Sequence, residues 1–335
     1  MSRVAVMGSG AWGTAIAISL ARRGGHQVVL WSWAKDIART MREFRENTVF
    51  LPRFELPESI AVTDDAAEAL SESEFVVSVT PSQFVRSSYR QFAPHLRPGQ
   101  LLVSATKGLE DGTFLRMSQV IAEVLAEHGL DLPCGVLSGP SFAQEVAAGA
   151  PTAITIASAS AELAARVQGE FSSSSLRLYT NDDVIGVEMG GSLKNVIAIA
   201  AGIVAGLDLG YNSNAALITR GIAEMTRLAV ACGGRRETLA GLSGIGDLVL
   251  TCTGSLSRNR SVGMGLGRGL KIGQILEELG GRVAEGVRTT SAALGLARRY
   301  GVEMPITEQM DAILTRGKSP EAAIEELMQR PGRDE

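Results

Sequence analysis

Residues 4–13 read Val-Ala-Val-Met-Gly-Ser-Gly-Ala-Trp-Gly, and the fold turns on this stretch. Val4, Ala5, Val6 and Met7 form an apolar run of strand length, and over 13–23 the apolar positions recur at helical spacing. Between them Gly8, Gly10 and Gly13 complete a G-x-G-x-x-G. In a strand–turn–helix setting each glycine answers a separate demand. The first permits the tight turn, the second lets backbone approach a pyrophosphate, and the third lets the helix pack close to the sheet. The helix N-terminus then offers N–H groups and the positive end of its dipole to an anion. A dinucleotide is the ligand this combination predicts.

Outward from that turn, short apolar runs at 27–31, 75–79, 101–104, 135–138, 152–156 and 176–179 read as strands. Helical patterns lie between several of them, including a polar one over 36–45. Strand and helix in alternation predict a parallel sheet covered on both faces, with right-handed crossovers. Near 179–183 the pattern changes to long helical stretches, at about 184–205, 214–232, 272–279, 288–300 and 306–315. The expected architecture is an α/β, Rossmann-like doubly wound domain over 1–181, followed by an all-α domain over 182–335. Ser172-Ser173-Ser174-Ser175 reads as a loop before the last strand. Gly263 to Gly269 is glycine-rich but follows no strand, so it reads as a loop or a tight helix contact.

A chain of 335 residues suits two domains. Hydrophobic residues are 45% and charged residues 20%, which excludes a disordered chain. The net charge is −4 with no basic run, so no nucleic-acid partner is expected. Cys134, Cys232 and Cys252 show no paired spacing and read as buried thiols of a reducing compartment. His26, His95 and His128 lack ligand spacing, so no metal is expected. The start lacks a signal-peptide pattern, and the longest apolar run, 196–207, is short for a bilayer and reads as a buried helix. A cytoplasmic protein without membrane insertion is expected.

Polar clusters stand where ligands of open α/β sheets bind, beyond the C-terminal strand ends. Lys107 follows one strand, and Gly139, Ser141 and Ala143 follow another. Lys194 and Asn195 interrupt an apolar helical stretch, so the ammonium is either paired or snorkels to solvent. Asp247 is a carboxylate in a glycine-rich apolar setting. Ser257, Arg258 and Asn259 combine a hydroxyl, a forked cation and an amide, a set suited to phosphate. At the end of the second strand the sequence is Trp31-Ser32-Trp33-Ala34-Lys35, with no acid to hold a ribose 2′-OH. With Lys35 and Arg39 nearby, NADP is admissible, as is NAD.

Taken together and in order, GSGAWGTA at 8–15, ATKGLE at 105–110, SGPSFA at 138–143, GGSLKNVIAI at 190–199, ALITRG at 216–221, GIGDLVLTC at 244–252, SRNR at 257–260 and VAEG at 283–286 resemble the bacterial NAD(P)-dependent glycerol-3-phosphate dehydrogenase family. The resemblance spans nearly the whole chain. It implies reversible reduction of dihydroxyacetone phosphate to sn-glycerol 3-phosphate, a glycerophospholipid precursor. By matching motif, Lys194 is the proton donor and acceptor, and Lys107 and Asp247 complete the catalytic set. Cofactor positions are Gly8, Gly10, Ala11, Trp12, Gly13, Trp33, Lys107, Ala143, Arg258, Val283 and Glu285. Substrate positions are Lys107, Gly139, Ser141, Lys194, Asp247, Ser257, Arg258 and Asn259. There are two departures from the common pattern: Ala11 stands where Ser is common, and Trp33-Ala34 where His or Arg is frequent. The Ala/Gly-rich helices fit a homodimer face and buried packing equally. The alternatives are a β-hydroxy-acid dehydrogenase of the same architecture, which would not need the cluster at 257–259, and a non-catalytic nucleotide sensor.

Overall fold

The computed structural model describes residues 2–278 and 284–332. Among the described residues ten strands occur in chain order: β1 Ser2–Met7, β2 His26–Trp31, β3 Glu46–Asn47, β4 Leu51–Glu55, β5 Ile60–Thr63, β6 Phe75–Ser78, β7 Leu101–Ser104, β8 Cys134–Ser138, β9 Thr152–Ala157 and β10 Leu176–Asn181. Eight of them form one sheet in the order β10-β9-β8-β7-β6-β1-β2-β5, and β3 and β4 pair separately. The central strands are apolar on both faces, as Phe75-Val76-Val77 and Leu101-Leu102-Val103 show, because helices cover both sides. On one side Val4, Val6, Leu30, Val77 and Val103 pack with Ile16 and Leu20 of the helix Ala11–Arg23. On the other, Ala5, Met7, Val76 and Leu102 pack with Tyr89, Phe92, Val120 and Val124. The α/β, Rossmann-like reading of the N-terminal half therefore holds.

The sheet departs from the expected all-parallel pattern at one place. β8 and β9 are antiparallel, with Leu137 opposite Ile156 and Ser138 opposite Thr155. The connection between them holds only the helix Ala143–Ala148. At about 1.5 Å per residue it spans about two turns, and the chain re-enters the sheet at the end it left. A full crossover resumes over the helix Ala161–Phe171, so β9 and β10 are parallel to each other. The β3–β4 hairpin and β5 are further elements absent from the sequence reading.

Two compact units divide the chain: Met1–Lys107 with Leu115–Glu188, and Gly108–Phe114 with Met189–Glu335. The division falls inside the helix Val184–Gly206. That helix has 23 residues and by length and composition could cross a bilayer, unlike the shorter run read from sequence, but 89% of its most apolar window is buried within the protein. The second unit is helical, as expected. It also contains helices at Arg236–Leu239, Asp247–Thr253, Arg258–Gly267 and Pro320–Met328 that the periodicity did not reveal. The glycine-rich stretch at 263 is a tight helix contact: an added Cβ at Gly263 would strike the Ile199 carbonyl and crowd Gly202. The segment Gly108–Phe114 is fastened within this unit. Gly108 N–H donates to Ser192 Oγ at 3.0 Å, and the Arg299 guanidinium lies 4.6 Å from the Phe114 ring centroid.

Candidate active site

In the first unit, β1 is flanked by β2 on one side and β6 on the other. This is where the direction of sheet building reverses, the usual place for a ligand crevice. Gly8 N–H donates to the Trp31 carbonyl at 3.2 Å, and Val79 N–H to Met7 at 3.0 Å, so the turn is fixed to both neighbours. Gly8 has φ +137° and a Cβ there would lie 2.7 Å from the Val79 carbonyl oxygen. A Cβ on Gly13 would collide with the Gly8 carbonyl. These two glycines are demanded by the protein's own packing. Gly10 is different: a Cβ there would meet nothing within 4 Å. Its lack of a side chain leaves open the backbone face at the N-terminus of the helix Ala11–Arg23, which begins without a side-chain cap. The turn thus fits the pyrophosphate of a dinucleotide.

Ala11 and Trp12 open that helix and pack, half-buried, on the core. At the end of β2, Trp31 is buried and its indole N–H donates to the Asp64 carbonyl at 3.2 Å. Trp33 is 79% exposed. Ser32 accepts from Ser9 Oγ at 2.8 Å and donates to the Ala34 carbonyl at 3.1 Å, so its hydroxyl is engaged. Lys107 and Gly139 come together after β7 and β8. Lys107 Nζ donates to the Gly139 carbonyl at 3.3 Å, and Ser141 Oγ donates to the same oxygen at 2.9 Å. Ala143 begins the next helix.

In the second unit, Lys194 and Asp247 meet although 53 positions separate them. Lys194 is only 7% exposed and Asp247 1%. Lys194 Nζ donates to Asp247 Oδ1 at 2.5 Å and to Thr251 Oγ1 at 2.7 Å, while Thr251 donates to the Asp247 carbonyl at 2.6 Å. The lysine is therefore paired rather than snorkelling. A Cβ on Gly190 would collide with the Ser243 carbonyl, so glycine there lets the two backbones touch. Gly190 and Lys194 are one helical turn apart on one face, and this close approach brings Lys194 onto the carboxylate. Residues Leu242–Gly246 form a π-helical turn that leads into the helix Asp247–Thr253. Thr251 was missed from sequence, because its spacing of four from Asp247 becomes a relation only once the helix Asp247–Thr253 is known.

Ser257 caps the helix Arg258–Gly267, its Oγ accepting from Arg260 N–H at 3.2 Å. Arg258 is exposed at the start of that helix. Asn259 Nδ2 donates to Asn195 Oδ1 at 2.9 Å, and its Oδ1 accepts from Gly286 N–H at 3.0 Å, beside Glu285 at the start of the helix Glu285–Tyr300. Asn259 thus braces Asn195, the residue after Lys194. Val283 lies outside the described residues. Of the cysteines, Cys252 is buried and burial also pushes the Cys134 thiol up to about 12, whereas Cys232 is half-buried and departs from the expectation. Burial pushes the Cys252 thiol up to about 12, against a smaller downward pull from the Lys194 charge.

Known protein families match this chain in both of its halves. Residues 3–164 match the family model described as NAD-dependent glycerol-3-phosphate dehydrogenase N-terminus, and residues 183–325 the C-terminus. A "Glycerol-3-phosphate dehydrogenase [NAD(P)+]" of Acidobacterium capsulatum is 64% identical, with 100% of both chains covered. One of Koribacter versatilis is 58% identical over 100% of this chain and 99% of its own. The crystal structure of glycerol-3-phosphate dehydrogenase from Coxiella burnetii is similar with a TM-score of 0.93 and 40% identity, covering 98% of this chain and 99% of that one. On this evidence the chain belongs to the NAD-dependent glycerol-3-phosphate dehydrogenase family.

Proposed function

We propose that Lys194 is the acid–base group of this NAD(P)-dependent glycerol-3-phosphate dehydrogenase, which interconverts dihydroxyacetone phosphate and sn-glycerol 3-phosphate. The observation that carries the reading is a buried ammonium held by a carboxylate and a hydroxyl. When bound, the nicotinamide supplies or accepts the hydride, and Gly8, Gly10, Ala11, Trp12 and Gly13 form the turn that would hold the dinucleotide. Lys194 Nζ delivers a proton to the ketone oxygen in reduction and takes it back in oxidation. Negative charge grows on that oxygen along the reaction, so a cation aimed at it favours the transition state over the ground state. Asp247 and Thr251 fix where the ammonium points, which removes the cost of orienting it during the reaction.

Lys107 and Ser141, both bonded to the Gly139 carbonyl, are proposed to line the substrate site. Arg258, exposed with a forked guanidinium, suits the substrate phosphate, and Ser257 and Asn259 hold the helix start that presents it. Ala143, Trp33, Glu285 and Val283 complete the proposed cofactor contacts. The reading extends to glycerophospholipid supply and to the cytoplasm, where the three cysteines, none in a disulfide, would remain reduced. Initial rates with dihydroxyacetone phosphate, followed by loss of NADH or NADPH absorbance, test it. Turnover with at least one coenzyme is expected. Absence of turnover with both overturns the assignment.

A further inference from the structure

We infer that Asn47, on the β3–β4 hairpin, is a positioning residue for the dinucleotide: it sets the direction of the Gly10 N–H. The inference rests on the dehydrogenase reading above. Asn47 is fully buried. Both hydrogens of its amide are used, Nδ2 donating to the Ser9 carbonyl at 2.7 Å and to Thr14 Oγ1 at 2.8 Å. Thr14 Oγ1 in turn donates to the Ser9 carbonyl at 3.3 Å, closing a triangle of hydrogen bonds. Asn47 Oδ1 accepts from Phe50 N–H at 3.1 Å, so a flipped amide would set its oxygen against the Ser9 carbonyl and its NH2 against the Phe50 N–H.

The consequence follows from peptide geometry. The Ser9–Gly10 peptide is trans, as are the other described bonds, so its C=O and N–H point in opposite directions. With the Ser9 oxygen drawn inward to a buried side chain, the Gly10 N–H is directed outward. Gly10 itself is uncrowded, since a Cβ there would meet nothing within 4 Å. Backbone N–H groups of this kind bind a pyrophosphate, and one held in advance costs no ordering on binding. An isosteric apolar side chain at 47 would fill the same volume but leave the Ser9 carbonyl held only by the longer Thr14 bond.

The test is cofactor affinity by titration calorimetry for wild type, Asn47→Leu and the milder Thr14→Val. Thermal unfolding without cofactor and rates at saturating cofactor are measured alongside. Asn47→Leu is expected to weaken NADH and NADPH binding about tenfold to a hundredfold, while kcat at saturation stays within about threefold. ADP binding should weaken in parallel and adenosine binding should not, since only ADP carries the pyrophosphate. Thr14→Val should weaken dinucleotide binding by about threefold, in the same ADP-selective way. A lowered Tm with unchanged cofactor affinity overturns the inference and leaves Asn47 a packing residue. If Asn47→Leu does not fold, Thr14→Val decides, and unchanged ADP affinity there overturns it. A wild-type protein that binds neither coenzyme would instead overturn the dehydrogenase reading.

Discussion

The glycine turn of the first unit and the lysine pocket of the second solve opposite problems. At the turn two glycines make room for the protein's own backbone and Gly10 leaves its backbone uncovered, which suits the proposed dinucleotide. At the pocket it buries a charged side chain and surrounds it with partners, because an ammonium out of water is costly unless it is paired and hydrogen-bonded. The first site is a matter of local chain geometry, carried by the consecutive residues 8–13. The second is assembled by helix packing from residues 53 apart. Damage to the first should therefore appear as weak cofactor binding, and damage to the second as slow chemistry together with lost stability.

The largest expected effect lies in the pocket. Lys194→Ala should lower kcat by about 10²–10⁴-fold while cofactor affinity changes little. Near-normal kcat would break the contrast between the two sites. The same substitution leaves Asp247 buried without its cation, a loss of about 3–5 kcal/mol in denaturant unfolding. Replacing the pair together, Lys194→Met with Asp247→Leu, should restore most of that stability and none of the activity, which separates the structural duty of the ion pair from its chemistry.

Within the glycine turn the contrast sharpens between neighbours. Gly13→Ala drives a Cβ into the Gly8 carbonyl and should destabilise the fold by about 1–3 kcal/mol. Gly10→Ala meets no protein atom, so Tm should hold while dinucleotide affinity falls. Equal loss of Tm in both variants would show that Gly10 too serves packing alone.

A smaller effect concerns Cys252, one residue beyond Thr251 on the pocket helix. With its thiol held up at about 12 by burial, it should be alkylated at pH 8 at least about a hundredfold more slowly in the native protein than in urea. The linkage has a definite sign. The folded value lies above the ordinary 9.0, so this thiol's contribution to stability is complete below about pH 9 and is lost as pH rises toward 12. A Cys252→Ala variant should show a flatter fall in stability across that window.

Several site groups were legible because their signal is local. Gly8, Gly10 and Gly13 are spaced by a turn, and the apolar runs of β1, β6 and β7 are long enough to show a strand. Lys194 was legible as an anomaly, a charge within an apolar helical stretch, but its partner was not. Asp247 and Lys194 share no local pattern, and their meeting depends on Gly190 letting two backbones touch. Asn47 gave no signal at all. It sits in a two-residue strand with an irregular register, too short for any periodicity to report.

By itself the sequence determined the doubly wound first half, the helical second half and the dinucleotide turn, since strand, helix and tight-turn preferences act over a few residues. Tertiary structure alone decided that β9 and β10 run against the rest of the sheet, that the segment Gly108–Phe114 belongs with the helices, and that Asp247, Thr251 and Asn47 stand where they do. The physical reason is that side-chain pairing and strand direction are settled by which surfaces exclude water together. That is a property of the folded chain and not of any short stretch within it.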